Sequence, residues 1–302
     1  MNKVKVQIIG GSGFLGKILS KYLCFQGYEV IAYGRRKPES LNCEFKIHDI
    51  MKDFVKIEHG VDIIFYLSQA QEYRNFPQNL SQLNFINTIA PIHYAIEADR
   101  CGVKQFFYAS TGNVYRPSFL SRSEADELFA TSPYAASKLA AEQYLNWLDI
   151  EMSITSLRIF GLFGEGQQNM LPYILKERVL NNLPVMLNLL DQYDASPEGL
   201  IISFLYVKDA VDILFKLCER AIKMRDLPSA INIAGQYPIS IYDFSMLIGN
   251  ALKKKVWFEK ETNYLKHHLI ANISLLRKII SPKFTKTDQA ISMSFMNKEI
   301  VY

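Results

Sequence analysis

A chain of 302 residues that is 49% hydrophobic and 21% charged is long enough for a large core and reads as one big or two modest globular domains. Its formal net charge of +4 is too slight and too scattered to point to nucleic acid. No apolar run reaches membrane-spanning length, so neither partner class is expected.

Val4, Val6, Ile8 and Ile9 form the β-branched run of a strand buried in a parallel sheet. The chain then reads Gly-Gly-Ser-Gly-Phe-Leu-Gly from Gly10 to Gly16. Beyond it Phe14, Ile18 and Tyr22, with Leu15, Leu19 and Leu23 on the adjoining row, give a helix one apolar face. Strand, glycine turn and helix in that order make a site for a dinucleotide. Gly10 turns the chain, Gly13 admits a pyrophosphate to bare backbone, and Gly16 lets the helix lie close while its free N–H groups face the anion. The spacing, Gly-x-x-Gly-x-x-Gly, differs from the commoner Gly-x-Gly-x-x-Gly.

Residues 29–33 are a second strand. Where such folds usually place an acid for the adenosine ribose, this one ends Tyr33-Gly34-Arg35-Arg36. A guanidinium binds a 2′-phosphate that an acid would repel, so NADP(H) is favoured, with NAD(H) left open. Residues 44–48 and 61–67 read as strands three and four. Residues 81–100 read as a long helix with Leu83, Ile86, Ile89, Ala90 and Ile96 toward the core. Residues 105–110 and 153–159 are further strands around a helix at 132–148 begun by Ser132 and Pro133. This alternation calls for a right-handed, doubly wound parallel sheet.

From Gly161 the rhythm breaks. A helix at 170–181 precedes an irregular stretch, 188–199, before a strand at 204–207, a helix at 209–222 and a strand at 230–234. Helical patterns follow at 241–252 and 272–279. Lys253 to Lys255 read as solvated cations at a helix end. The cysteines, Cys24, Cys43, Cys101 and Cys218, form no metal-type pair, and His267 and His268 would diverge on a helix. No metal is expected. The thiols should be reduced and mostly buried, and the absence of a signal-type segment before the first strand makes a cytoplasmic protein the expectation.

Tyr134 and Lys138 lie four apart on a helix, so the ammonium should sit near the phenol and lower its pKa toward working pH. Tyr33 and Lys37 share the spacing but straddle Gly34 at a strand end and have no helix to bring them together. Ser110 and Thr111 end the fifth strand, where sheet ends meet ligands. Either hydroxyl could support charge on a substrate oxygen or simply satisfy local backbone.

With these motifs in chain order, the sequence resembles the extended short-chain dehydrogenase/reductase family of nucleotide-sugar epimerases, dehydratases and ketoreductases. The likeness extends to Asp49-Ile50, Asn84 to Thr88, Ser110 to Tyr115, Leu157 to Gly161, Asn169 to Pro172 and Phe204 to Asp209. It implies an α/β fold with a doubly wound parallel sheet (Rossmann) and a smaller C-terminal α/β substrate-binding domain. The dinucleotide-binding part would be 1–160 and 204–235, the substrate-binding part 161–203 and 236–302. By resemblance Thr111, Tyr134 and Lys138 are catalytic. Gly10, Gly13, Phe14, Leu15, Gly16, Arg35, Arg36, Asp49, Ile50, Leu67, Tyr134 and Lys138 would bind the cofactor, and Thr111, Gly112, Asn113, Tyr134 and Asn169 the substrate. A homodimer would form through the helices at 81–100 and 132–148, with Ala95, Tyr144 and Trp147 as candidate contacts.

Departures narrow the chemistry. Gly112 and Asn113 replace the Asp-Glu pair of 4,6-dehydratases, so dehydration is not expected. Ile202 and Ser203 stand where an arginine bridges the substrate diphosphate. Asn87, Gly161 and residues 66–70 also depart from the common pattern. The expected activity is NADPH-dependent reduction of a nucleotide-linked 4-keto (6-deoxy) sugar. The alternatives are an NAD-dependent nucleotide-sugar 4-epimerase and a non-catalytic dinucleotide sensor on the same fold.

Overall fold

The computed structural model describes residues 3–39, 41, 43–190, 197–224 and 227–296. Seven parallel strands form the central sheet: β1 (Lys5–Ile9), β2 (Glu29–Gly34), β3 (Glu44–Ile47), β4 (Ile63–Tyr66), β5 (Gln105–Thr111), β6 (Ser153–Ile159) and Ala230–Ile233. Their spatial order is Ala230–Ile233, β6, β5, β4, β1, β2, β3. The order reverses between β1 and β4, which opens a crevice at the carboxyl ends of those strands. Helices cover both faces, so β4 is buried along its whole length and its sequence, Ile-Ile-Phe-Tyr, carries no alternation. Ile8, Phe65 and Phe107 pack on one face with the helix α1 (Phe14–Phe25), while Ile9, Tyr66 and Tyr108 pack on the other.

The long helix predicted at 81–100 is interrupted. It runs as Leu80–Asn84, a π-helical turn Phe85–Ile89, and Ala90–Arg100. Pro91 has no N–H to give to the turn before it. Two buried tyrosines supply the missing donors: the Tyr66 hydroxyl donates to the Ile86 carbonyl at 2.6 Å and the Tyr108 hydroxyl to the Asn87 carbonyl at 2.7 Å. The π turn shifts the apolar stripe, so Leu83, Ile86 and Ala90 face inward but Ile89 is 52% exposed, against expectation.

Beyond the sheet, Val185–Leu189 pairs in parallel with Phe258–Tyr264, and short pairs join Leu162–Phe163 to Leu205–Tyr206 and Ile201–Ile202 to Ile239–Ser240. The strand at Phe258–Tyr264 was not anticipated because its residues are mostly exposed and polar. Residues 191–196 of the stretch expected to be irregular lie outside the described residues. His267 and His268 lie in a connecting segment outside any helix or strand. The four cysteines are free, but only Cys218 is buried; Cys24 and Cys43 are half-buried and Cys101 exposed, since the latter three sit at element ends. Among the described residues no helix is long and apolar enough to cross a membrane.

Candidate active site

The glycine loop is built as its residue types require. Gly10 has φ +98°, and its N–H and that of Gly11 both donate to the Tyr33 carbonyl, at 3.0 and 2.8 Å. A Cβ on Gly16 would collide with the Gly10 carbonyl oxygen, so this glycine sets how closely α1 lies against β1. Gly13 is the N-cap of α1 and supplies no side-chain cap, which leaves the first-turn N–H groups of Phe14, Leu15 and Gly16 for an anion. Phe14 and Leu15 are half-buried and pack on the core. The loop therefore fits a dinucleotide pyrophosphate.

At the end of β2, Arg35, Arg36 and Lys37 are exposed and line a cleft of about 700 Å³ with Ser12, Lys17, Lys21, Pro38, Glu39 and Gln71. Five cations thus face one acid. Burial and the neighbouring Lys21 lower the Lys17 pKa, as positive charges crowded together require. Of the similarly spaced pair, Tyr33 is 5% exposed with its hydroxyl on Glu58, while Lys37 points into the cleft. Asp49 accepts from the Met51 N–H at 3.1 Å, Ile50 packs beside Ala70, Leu83 and Ile86, and the Leu67 N–H donates to the Ile9 carbonyl at 2.8 Å.

Thr111 ends β5, 5% exposed. Its Oγ1 accepts from the backbone N–H and the side-chain amide of Asn113, each at 3.2 Å. Gly112 packs against the Phe160 ring, and with Asn113 it lines a small cavity also bordered by Arg116, Arg122, His267 and His268. Tyr134 opens the helix Pro133–Asn146, which Ser132 caps by accepting from the Ala135 N–H at 3.2 Å. The Tyr134 hydroxyl donates to Gln69 Oε1 at 3.2 Å, and its ring packs on Tyr73 with centroids 4.7 Å apart.

Lys138 is 1% exposed; its Nζ donates to the Ala109 carbonyl at 2.8 Å and lies 4.9 Å from the centre of the Tyr108 ring. This corrects the expected tuning. Burial, and after it Tyr73, raise the Tyr134 pKa against an opposing effect of the Thr111 hydroxyl. Burial likewise pushes the Lys138 ammonium down to about 7, opposed by Glu142. Burial thus shifts each group toward its neutral form, and the ammonium points to the β5 backbone instead of the phenol. Ser110 is not available to substrate, because its hydroxyl is bonded to Glu142.

The positioning roles of several residues were not foreseen from the sequence. Asn87, one of the departures, accepts from the Ala70 N–H at 3.1 Å and donates to Ser137 Oγ at 3.0 Å, tying the β4 loop to the Tyr134 helix. Gly161 and Ile202 are matched departures, since a Cβ on Gly161 would come within 2.6 Å of Ile202 Cγ2. Ile202 and Ser203 are both buried and present no cation. Asn169, at φ +58°, instead receives Arg74, whose Nη1 donates to its carbonyl at 3.5 Å and whose guanidinium covers the Tyr73 ring at 5.0 Å. The segment carrying Tyr73 and Arg74 thus reaches from above Tyr134 to the start of the helix Leu171–Leu180.

Residues 6–234 match the model of the NAD dependent epimerase/dehydratase family. GDP-mannose 3,5-epimerase 1 of Oryza sativa subsp. japonica is 25% identical over 270 residues, spanning 82% of this chain and 68% of that protein. The dTDP-4-dehydro-6-deoxyglucose reductase of Escherichia coli is 25% identical over 207 residues, 60% of this chain and 64% of that protein. Among solved structures, MoeE5 in complex with UDP-glucuronic acid and NAD superposes with a TM-score of 0.81 at 20% identity, covering 97% of this chain and 98% of its own.

Proposed function

The chain belongs to the NAD dependent epimerase/dehydratase family, and we propose that within it this protein reduces a nucleotide-linked 4-keto sugar with NADPH. The observation that carries the choice of cofactor is the cleft at the end of β2, where Lys17, Lys21, Arg35, Arg36 and Lys37 face Glu39 alone. Such a site favours a 2′-phosphate. Glycines 10, 13 and 16 would hold the pyrophosphate, and Lys138 the nicotinamide ribose. When bound, the dinucleotide supplies the hydride.

The residues of the chain do the rest. Tyr134 donates its phenolic proton to the keto oxygen, and a phenol held neutral by its surroundings is the right form for that role. Thr111 hydrogen-bonds the same oxygen and supports the charge that develops there. Arg74, at the Asn169 end of the site, takes the place of the missing strand arginine on the substrate diphosphate. Residues 1–160 with 204–235 serve the dinucleotide, and 161–203 with 236–302 the sugar nucleotide. Trp147, 73% exposed, and Tyr144 form an edge-to-face pair on the outer face of the Tyr134 helix and, with Ile89, would meet a second copy. Ala95 is fully buried and takes no part. Sedimentation of the intact chain checks the dimer.

A second reading, 4-epimerisation with retained NAD, draws on relatives such as the UDP-glucose 4-epimerase of Lacticaseibacillus casei, 26% identical over 176 residues. Product analysis separates the two. A reductase yields a sugar two hydrogens heavier with one NADPH consumed, whereas an epimerase converts a nucleotide hexose to its isomer without net cofactor turnover.

A further inference from the structure

We infer that Glu142, anchored by Arg158, is a positioning residue that locks the catalytic end of β5 to the helix bearing Tyr134 and Lys138. The inference rests on the catalytic reading of Thr111, Tyr134 and Lys138 given above. Glu142 and Arg158 are 1% and 4% exposed. Arg158 Nη2 and Nε donate to Glu142 Oε2 at 2.7 and 3.1 Å, and the Ser110 hydroxyl donates to Oε1. Glu142 lies one helical turn beyond Lys138, on the same face. Two consecutive β5 residues are therefore tied to that face: Ala109 through Lys138, and Ser110 through Glu142. Thr111 is the next residue, so this double tie fixes its hydroxyl relative to the Tyr134 phenol.

A buried ion pair is weak evidence for stability alone, because apolar replacements of similar volume are often as stable. What an apolar pair could not supply is a negative charge beside Lys138. The titratable and charged groups beside that ammonium are Tyr108 of β5 and Glu142 of its own helix, and, beyond the carboxylate, Arg158 of β6 and Tyr115. Glu142 opposes the loss of charge that burial imposes on Lys138. Arg158 is braced in turn by the Tyr115 hydroxyl at 2.9 Å, and Tyr115 by Asn232 at 2.7 Å.

The test is NADPH binding to the intact chain, followed by cofactor fluorescence from pH 5 to pH 9 without substrate, with thermal melting in parallel. Wild-type affinity should fall as Lys138 loses its proton. In Glu142→Gln the affinity at pH 5 should stay within about twofold while the midpoint of the fall moves down by about one pH unit, the usual effect of losing an adjacent opposite charge. Should that variant not fold, the double variant Glu142→Met, Arg158→Leu removes the buried charges together and should show a smaller downward shift, because the repelling guanidinium leaves with the attracting carboxylate. An unmoved midpoint in the variant that folds, whatever the change in melting temperature, overturns the inference. Because no substrate is present, inactivity toward every nucleotide sugar would count against the functional reading and not against this one.

Discussion

Removing the two arginines that follow β2 should separate NADPH from NADH. In Arg35→Ser, Arg36→Ser the cleft keeps Lys17, Lys21 and Lys37 but loses both guanidinium forks. A charge-assisted hydrogen bond is worth about 1.5–3 kcal/mol when sheltered. Both side chains here are exposed, so we take the low end or below, about 1–1.5 kcal/mol each. The sum, about 2–3 kcal/mol, corresponds to a loss of roughly 30- to 150-fold in NADPH affinity at 1.4 kcal/mol per decade. NADH has no 2′-phosphate to lose and should change by less than about threefold. Calorimetric titration of both cofactors against both proteins measures the difference directly. The same preference should shrink for the wild type as salt rises, because these charges are solvent-screened. Equal losses for the two cofactors, or a wild type that binds NADH more tightly, would refute the assignment of the cleft.

Other perturbations read the rest of the site. Lys138 has its pKa near 7 in the folded chain, below its unfolded value of about 10.5, so between those limits the unfolded chain holds the extra proton and stability should rise with pH. From pH 7 to pH 9 this contributes up to about 2.7 kcal/mol, which urea titrations should find in the wild type and not in Lys138→Met. Gly16→Ala gains about 1 kcal/mol of helix propensity but drives a Cβ into the Gly10 carbonyl, an overpacking cost of about 1–3 kcal/mol. It should therefore destabilise modestly in urea while weakening dinucleotide binding at least about tenfold as the loop is displaced. Arg74→Ala should raise KM for the sugar nucleotide by about tenfold with kcat nearly unchanged; a fall in kcat alone would place Arg74 elsewhere in the reaction.

The sheet and the glycine turn were legible because each residue obeys a local rule. Short β-branched runs make buried strands, a glycine stands where a Cβ has no room, and Ser132 caps the helix it precedes. The predicted strands lie within two residues of their observed ends, and the helix Ile241–Leu252 falls where its pattern puts it. Failures came where tertiary contacts override the pattern. Residues 81–100 read as one even helical stripe, but the π turn ahead of Pro91 is stabilised by Tyr66 and Tyr108, residues on other elements, and Ile89 faces outward. The Tyr134 and Lys138 spacing located both side chains correctly on one helix, yet spacing carries no information about the Ala109 carbonyl that captures the ammonium. Tyr73 and Arg74 reach the site from a loop with no periodicity at all. The departures at Gly161 and Ile202 become intelligible only as a packed pair, since each fills or vacates the space of the other.

Oxidation of NADPH by the purified chain, offered 4-keto-6-deoxy sugars linked to UDP, dTDP or GDP, tests the central claim most directly, with Tyr134→Phe alongside. We expect turnover with one of these substrates and a loss of at least about 100-fold in kcat for the variant, the scale of a missing general acid, with its melting temperature little changed. A well-folded Tyr134→Phe that retains wild-type turnover, or a wild type that leaves every keto sugar and NADPH untouched while isomerising a nucleotide hexose, would contradict the account.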